Sequence, residues 1–234
     1  MLLYIIRHGD PDYATDSLTP KGILQAEAVG KRLQEAGINR IFSSPMGRAK
    51  QTAEPACRLL GLDYTIEEWA HEIGNERLTT YMSDKPVSVN LLQNSLYLEN
   101  GGYDVPFSQS FATPALAASG MESACNYIWE HGKEFLERLG YKEENGVYRI
   151  LKPSDEKVAL FCHAAFAKAW LSMLLRIPPH VMCASFNYCH TGVTILNFAN
   201  YPNGFTAPRC LCYSDLSHFY KEDLDLVYNN HTSI

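Results

Sequence analysis

The sequence lacks any apolar run that approaches the length of a membrane-spanning helix, and it lacks an excess of basic residues. A membrane helix needs about 20 consecutive apolar residues, whereas the first apolar run is broken at Arg7. We therefore expect neither a signal peptide nor a membrane partner. The chain has 20 Lys and Arg residues against 26 Asp and Glu residues, a formal net charge of −6. Because nucleic-acid-binding proteins usually carry a basic stripe, we expect no nucleic-acid partner.

Cysteine is present, but in a pattern that argues against a disulfide framework. The seven cysteines are scattered along the chain, at Cys57, Cys125, Cys162, Cys183, Cys189, Cys210 and Cys212. An odd, scattered set is typical of reduced thiols, so we expect a cytoplasmic protein. Cys210 and Cys212, taken with Cys189, His190 and His218, match no common zinc spacing. We expect no bound metal.

The remaining composition is that of an ordinary globular protein. Hydrophobic residues make up 46% and charged residues 20% of the 234 positions, so the chain can bury a substantial core. The sequence contains no internal repeat, low-complexity tract or linker. We therefore expect a single domain over residues 1–234.

Strand and helix signals alternate through most of the chain. Two short apolar runs, 2–6 and 158–162, predict buried strands. Helix signals cover 19–37, 46–60, 121–139 and 164–175. The first of these begins with Thr19-Pro20, a good cap followed by a residue that suits the first helical position. The order predicts an α/β fold with three layers, in which helices flank a mostly parallel central sheet.

Two regions depart from this alternation. Residues 73–120 are rich in Asn, Ser, Pro and Gly with scattered aromatic residues, which predicts an inserted lid within the domain. Near the end of the chain, the runs 193–198 and 205–213 are separated by a turn signal. They predict an antiparallel hairpin at the edge of the sheet.

Each of the two predicted strands is followed by a histidine, His8 in the first case and His163 in the second. Ligands of open α/β sheets bind at the carboxyl ends of the strands, so parallel neighbours would bring both imidazoles to one crevice. Arg7, beside the first histidine, predicts that this crevice holds an anion. Arg48 lies in the first turn of a helix, where backbone N–H groups favour an anion and the guanidinium can hold two phosphate oxygens.

Several short motifs, in this order along the chain, resemble the histidine phosphatase, or phosphoglycerate mutase-like, superfamily. They are Arg7-His8-Gly9, Leu18-Thr19-Pro20-Lys21-Gly22 with Gln25-Ala26, the segment from Ser43-Ser44-Pro45 to Gln51-Thr52-Ala53, His163 and the segment 208–218. They span nearly the whole sequence, with residues 73–120 as the divergent part. The combination is far more specific than the Arg-His-Gly triplet alone.

The resemblance implies a metal-independent phosphatase that hydrolyses a small phosphomonoester without a cofactor. His8 would be the nucleophile and form a phosphohistidine intermediate, because a neutral imidazole nitrogen is nucleophilic near neutral pH. Arg7, Arg48 and His163 would surround the phosphoryl oxygens and stabilise their charge during in-line transfer. The partner would be a small-molecule phosphate ester, and the oligomeric state stays open.

The leaving alkoxide also needs a proton, which the family supplies from a carboxylic acid after the second helix. In this chain Glu72 is the candidate by resemblance, and Glu68 stays open as the alternative. The pKa of such an acid has to be raised by burial or by its neighbours.

Two other functions stay open. A phosphoglycerate mutase would use the same residues but return the phosphoryl group to its substrate. Three departures from the family pattern favour a phosphatase: Ala14 stands where mutases tend to have Asn, Ala164 rather than Gly follows His163, and the Gly-rich continuation after Glu72 is missing. The third possibility is a module that binds a phosphorylated ligand without catalysis.

Overall fold

A computed structural model of the chain describes residues 1–73, 104–117, 119–226 and 228. The strands are β1 (Leu2–Arg7), β2 (Pro11–Asp12), β3 (Ser17–Leu18), β4 (Arg40–Ser43), β5 (Tyr64–Ile66), β6 (Tyr141–Glu144), β7 (Val147–Ile150), β8 (Lys157–Cys162), β9 (Val193–Asn197), β10 (Phe205–Thr206) and β11 (Arg209–Asp215). The helices are α1 (Pro20–Ala36), α2 (Gly47–Leu60), α3 (Pro114–Ala117), α4 (Met121–Arg138), α5 (Ala164–Leu175), α6 (Pro179–Ser185) and α7 (His218–Lys221). Short 3-10 helices lie at Glu68–Ala70 and Phe107–Ala112.

The central sheet has six strands in the order β11-β9-β1-β8-β4-β5. Strands β1, β8, β4 and β5 pair in parallel with one another. Strand β9 runs antiparallel to both of its neighbours, β1 and β11. The prediction of a mostly parallel α/β sheet is therefore confirmed, and β1 and β8 are direct neighbours.

Alternate side chains of the buried strands enter two separate hydrophobic cores, because successive residues of a strand point to opposite faces. On one face, Leu3 and Ile5 pack in a cluster with side chains of α4 and α5. On the other, Tyr4 and Ile6 pack in a cluster with side chains of α1 and α2. The sheet is thus covered on both faces, as the three-layer prediction requires.

The carboxyl-terminal hairpin differs in extent from its prediction. Strand β9 pairs with β11 at the sheet edge, as expected, but β11 begins only at Arg209. The preceding β10 belongs to a different, three-stranded sheet, where it pairs with β7. Pro208 stands between the two strands and has no N–H to donate, so the predicted continuous strand 205–213 is wrong.

The segment between β1 and α1 contains a small hairpin of β2 and β3. Its second strand leads to the cap of α1, where Thr19 Oγ1 accepts a hydrogen bond from the Gly22 N–H at 3.1 Å. The same hydroxyl donates to Asp10 Oδ2 at 2.7 Å. The hairpin is therefore fixed at both ends, close to the end of β1.

Much of the predicted lid lies outside the described residues, which resume at residue 104. In the described remainder, the Phe107 ring stacks on Trp129 of α4 with centroids 5.6 Å apart. The role of 73–120 as a lid stays a prediction, as does the single domain. All seven cysteines are free of disulfide bonds. Within the described ranges, no helix is long and apolar enough to cross a membrane.

Candidate active site

The carboxyl ends of β1 and β8 bring two imidazoles together. Arg7 is in register with Cys162, and the His8 N–H donates to the Cys162 carbonyl at 2.9 Å. A histidine directly follows each strand, and the ring centroids of His8 and His163 lie 5.1 Å apart. The prediction that both histidines reach one crevice is confirmed.

One ring nitrogen of His8 is held by the backbone. Nδ1 donates to the carbonyl oxygen of Gly9 at 2.7 Å, which leaves the lone pair on Nε2. Burial, together with the charges of His163 and Arg7, lowers the pKa of His8 well below its usual range. The Gly9 N–H in turn donates to Thr52 Oγ1 of α2 at 3.0 Å. His8 is thus a neutral imidazole with a fixed tautomer and an available nitrogen.

His163 Nε2 lies 2.7 Å from Ser44 Oγ, which also accepts a hydrogen bond from the Met46 N–H at 3.3 Å. When the Ser44 hydroxyl donates to Nε2, the ring proton lies on Nδ1, a buried atom without a hydrogen-bond partner among the described residues. Burial and the charges of Arg48 and Arg7 lower the pKa of His163 well below its usual range. In this tautomer the neutral ring can donate a hydrogen bond from Nδ1.

Both predicted arginines are buried, and hydrogen bonds from the guanidinium groups anchor them. Arg7 is 7% exposed and donates from Nη1 to the Tyr188 carbonyl at 2.6 Å. Arg48 is 5% exposed and donates from Nη1 to Asp16 Oδ1 at 2.5 Å. Burial lowers the pKa of Arg7, and this effect is opposed first by Tyr13. Both Nε atoms are buried, and neither has a hydrogen-bond partner among the described residues.

Asp16 links Arg48 to the start of α2. Its second carboxylate oxygen, Oδ2, accepts a hydrogen bond from the Gly47 N–H at 2.6 Å. The carboxylate therefore holds both the guanidinium and the first turn of the helix. Asp16 itself has a φ of 50°, in the left-handed region that non-glycine residues rarely occupy. No sequence pattern predicts this loop conformation, so the contact between Asp16 and Arg48 is not among the predictions.

Glu72 lies at the amino end of α5, one turn from His163. Its Oε1 accepts hydrogen bonds from the N–H groups of Ile73 and Phe166, each at 3.0 Å. Burial raises the pKa of Glu72, although these backbone N–H groups and Arg7 favour the charged carboxylate. Glu68, the alternative acid, lies on an exposed position of a 3-10 helix. The geometry favours Glu72 over Glu68.

A third histidine lies beside His8. The His190 ring centroid is 5.6 Å from that of His8, and its Nδ1 is 3.5 Å from Asp10 Oδ1. In the sequence analysis His190 appears only among the residues that match no common zinc spacing. Its position follows from the antiparallel pairing of β9 with β1, which places the start of β9 beside the end of β1. That pairing was not predicted.

The arrangement can bind an anion. Arg7 Nε, Arg48 Nε and His163 Nδ1 are buried and have no hydrogen-bond partner in the part of the chain that the structure describes, and their three side chains lie close enough to lower the pKa of His8. An oxyanion would satisfy such donors, since buried polar groups are almost always hydrogen-bonded. Across the part of the chain that the structure describes, no group of three or more His, Cys, Asp or Glu side chains is arranged to hold a metal ion.

Comparisons with known proteins agree with the motifs. Residues 3–85 match the model of the histidine phosphatase superfamily (branch 1). A probable phosphoglycerate mutase GpmB from Salmonella arizonae is 38% identical over 80 residues, which cover 30% of this chain and 37% of that protein. The match therefore spans little more than a third of the length of this curated relative.

Solved structures share the fold over most of the chain. A phosphoserine phosphatase mutant from Entamoeba histolytica, in complex with phosphoserine, has a TM-score of 0.60 at 21% identity and covers 93% of this chain and 98% of its own. A mycobacterial glucosyl-3-phosphoglycerate phosphatase in complex with VO3 has a TM-score of 0.59 at 19% identity and covers 91% and 98%. The family match over residues 3–85 therefore confirms the resemblance to the histidine phosphatase superfamily, and the solved structures show that the fold is shared over most of the chain.

Proposed function

We propose that the chain is a phosphatase that hydrolyses a small phosphomonoester through a phosphohistidine on His8. The observation that carries the proposal is a neutral imidazole, that of His8, beside three buried donors that have no partner within the described ranges: Arg7 Nε, Arg48 Nε and His163 Nδ1. A phosphoryl group presents three equatorial oxygens during in-line transfer, and such donors stabilise their charge.

In the first step, the lone pair of His8 Nε2 attacks phosphorus. The P–N bond forms as the bond to the ester oxygen breaks, and the electron pair of that bond stays on the leaving oxygen. Glu72, in its protonated form, donates its proton to this oxygen and releases the alcohol. The raised pKa of Glu72, caused by burial, supports this role because it favours the protonated carboxyl.

In the second step, water attacks the phosphorus of phosphohistidine. Glu72, now a carboxylate, accepts a proton from the water, and the P–N bond breaks with its electron pair returning to Nε2. His8 is restored as a neutral imidazole and inorganic phosphate is released. The hydrogen bond from Nδ1 to Gly9 keeps the tautomer fixed throughout.

The substrate class rests on the structural neighbours, one of which binds phosphoserine while another is a glucosyl-3-phosphoglycerate phosphatase. Both compounds are phosphate esters of small polar alcohols. We propose an ester of this class for the chain, with the predicted lid at 73–120 selecting the alcohol.

The test is a panel of phosphorylated metabolites, including phosphoserine and 3-phosphoglycerate, read by release of inorganic phosphate. We expect hydrolysis by the wild type, loss of activity in His8→Ala, and acid-labile labelling of the wild type after a rapid quench with a 32P-labelled ester. His131→Ala changes a histidine of α4 that hydrogen-bonds only to the Tyr127 carbonyl among the described contacts, and serves as the control. Full activity of His8→Ala would refute the proposed nucleophile.

The curated relative named as a probable phosphoglycerate mutase supports a second candidate, a mutase. Incubation with 3-phosphoglycerate separates the two functions, because a mutase yields the isomer and a phosphatase yields inorganic phosphate. Isomer formed faster than phosphate is released would refute the phosphatase. A wild type that binds phosphate but neither hydrolyses nor isomerises any ester would identify a binding module instead.

A further inference from the structure

We propose that His190, oriented by Asp10, contacts an equatorial oxygen of the phosphoryl group held at His8. The inference rests on the proposed function, because it assigns a further residue to the same phosphoryl site. None of the motifs that indicate the family includes His190.

The position of the ring is the first argument. The centroid of His190 lies 5.6 Å from that of His8, close to the 5.1 Å that separates His8 from His163. The rings of His8 and His190 are inclined by 36°, and both side chains are buried. A phosphoryl group bonded to Nε2 of His8 is large enough to reach a second imidazole at this distance.

The orientation of the ring is the second argument. Nδ1 of His190 lies 3.5 Å from Asp10 Oδ1, within ion-pair distance of that carboxylate. Asp10 is itself fixed, since its Oδ2 accepts from Thr19 Oγ1 at 2.7 Å and its N–H donates to Gln25 Oε1 at 2.8 Å. A carboxylate beside one imidazole nitrogen favours a proton on that nitrogen and thereby orients the ring.

Backbone hydrogen bonds hold the segment that contains His190 against the end of β1. The next residue, Thr191, donates its N–H to the carbonyls of both Arg7 and His8, at 3.1 and 3.2 Å. The Thr191 hydroxyl donates to the His190 carbonyl at 2.8 Å. Thr191 has a φ of 53°, so several contacts together hold an otherwise unfavourable conformation. His190 therefore keeps its position relative to His8.

When the phosphoryl group is present, His190 donates from Nε2 to one of its oxygens while Nδ1 stays beside the Asp10 carboxylate. His190 thus adds a donor to those of Arg7, Arg48 and His163.

The test compares two variants of similar size. His190→Gln keeps a hydrogen-bond donor at the end of the side chain, whereas His190→Phe keeps a planar ring and removes the donor. Binding of inorganic phosphate and of orthovanadate is measured at equilibrium by calorimetry, which requires no turnover. We expect His190→Phe to weaken binding about tenfold or more, and His190→Gln to stay within about threefold of the wild type.

A neighbouring histidine supplies the matched control. His218 Nε2 contacts Thr191 Oγ1 at 3.1 Å, so His218→Gln loosens the same loop without altering the ring beside His8. Asp10→Asn removes the charge that orients His190 and is expected to weaken binding by an intermediate factor. Thermal unfolding of each variant monitors the fold.

Two results would overturn the inference. Phosphate and vanadate binding by His190→Phe within about twofold of the wild type would exclude the contact, and equal weakening in all variants, including His218→Gln, would show a structural role only. Neither result depends on ester hydrolysis. A wild type that hydrolyses no ester but loses phosphate binding in His190→Phe would refute the proposed phosphatase and retain this contact.

Discussion

Replacement of Glu72 by Gln separates its chemical role from its structural one. The carboxylate Oε1 accepts hydrogen bonds from the N–H groups of Ile73 and Phe166, and the amide oxygen of Gln can accept both. The variant therefore keeps the contacts at the start of α5 but has no proton to donate. We expect the fold to be retained and the chemistry to be impaired.

The size of the loss depends on the alcohol that leaves. General acid catalysis contributes about 10²–10⁴-fold, equivalent to about 3–5.5 kcal/mol of transition-state stabilisation. An alkyl phosphate needs the full contribution because its alkoxide is strongly basic. An aryl phosphate with an acidic phenol leaves without a proton, so its phosphorylation step in Glu72→Gln is expected to stay within about tenfold of the wild type.

The assay is rapid-quench and steady-state kinetics with a matched series of alkyl and aryl esters. For Glu72→Gln we expect phosphohistidine to accumulate from the aryl ester, because the base that activates water is also missing. Glu68→Gln, which changes an exposed carboxyl on the preceding 3-10 helix, is the control. Equal losses for alkyl and aryl esters in the first step, or a larger loss in Glu68→Gln, would refute Glu72 as the acid.

The thermal stability of Glu72→Gln should rise although its activity falls. Burial raises the pKa of Glu72 in the folded protein above its ordinary value, so the protonated form favours folding. That contribution is fully present below the unfolded-state pKa and is lost as pH rises through the folded-state pKa. Glutamine does not ionise. Above the ordinary pKa of a glutamic acid, Glu72→Gln should therefore gain thermal stability relative to the wild type, and the gain should grow as pH rises towards the folded-state pKa.

Four further variants, at three positions, test the anion site. Asp16→Asn removes the negative charge that faces Arg48, so inorganic phosphate should bind about two- to fivefold more tightly, as measured by calorimetry. Asp16→Ala also removes the hydrogen bond that anchors Arg48, so kcat should fall about tenfold. Ser44→Ala removes the hydrogen bond that fixes the His163 tautomer, and kcat/KM should fall about fivefold to tenfold with little change in melting temperature. Gly47→Ala would place its Cβ 2.2 Å from the Asp16 carbonyl oxygen, so both thermal stability and phosphate affinity should decrease, the former by about 1–3 kcal/mol. Unchanged values in any of these measurements would contradict the corresponding contact.

The sequence was informative where chemistry follows directly from a strand end. An apolar run followed by a polar residue shows where a buried strand stops, and parallel neighbours stop at the same edge. This reasoning predicts that His8 and His163 lie together, and the structure places their ring centroids 5.1 Å apart. Arg48 could be located in the same way, because a helix start follows directly from β4.

The sequence was uninformative where position depends on pairing or on loop conformation. His190 reaches the site because β9 runs antiparallel to β1, and a hairpin pattern alone does not say which strand it joins. Asp16 reaches Arg48 through a left-handed loop residue, a conformation that local composition does not specify. The predicted strand over 205–213 is too long at its amino end, because Pro208 interrupts it and β11 begins at Arg209.

The anchoring of the arginines explains how the pocket exists before the substrate arrives. The side chains of Arg7, Arg48 and His163 are held in place by the Tyr188 carbonyl, by Asp16 and by Ser44. Because these contacts fix the three side chains before a substrate binds, their polar groups need no reorientation during the reaction. Their interaction with the phosphoryl oxygens therefore strengthens as charge develops, which lowers the barrier to phosphoryl transfer.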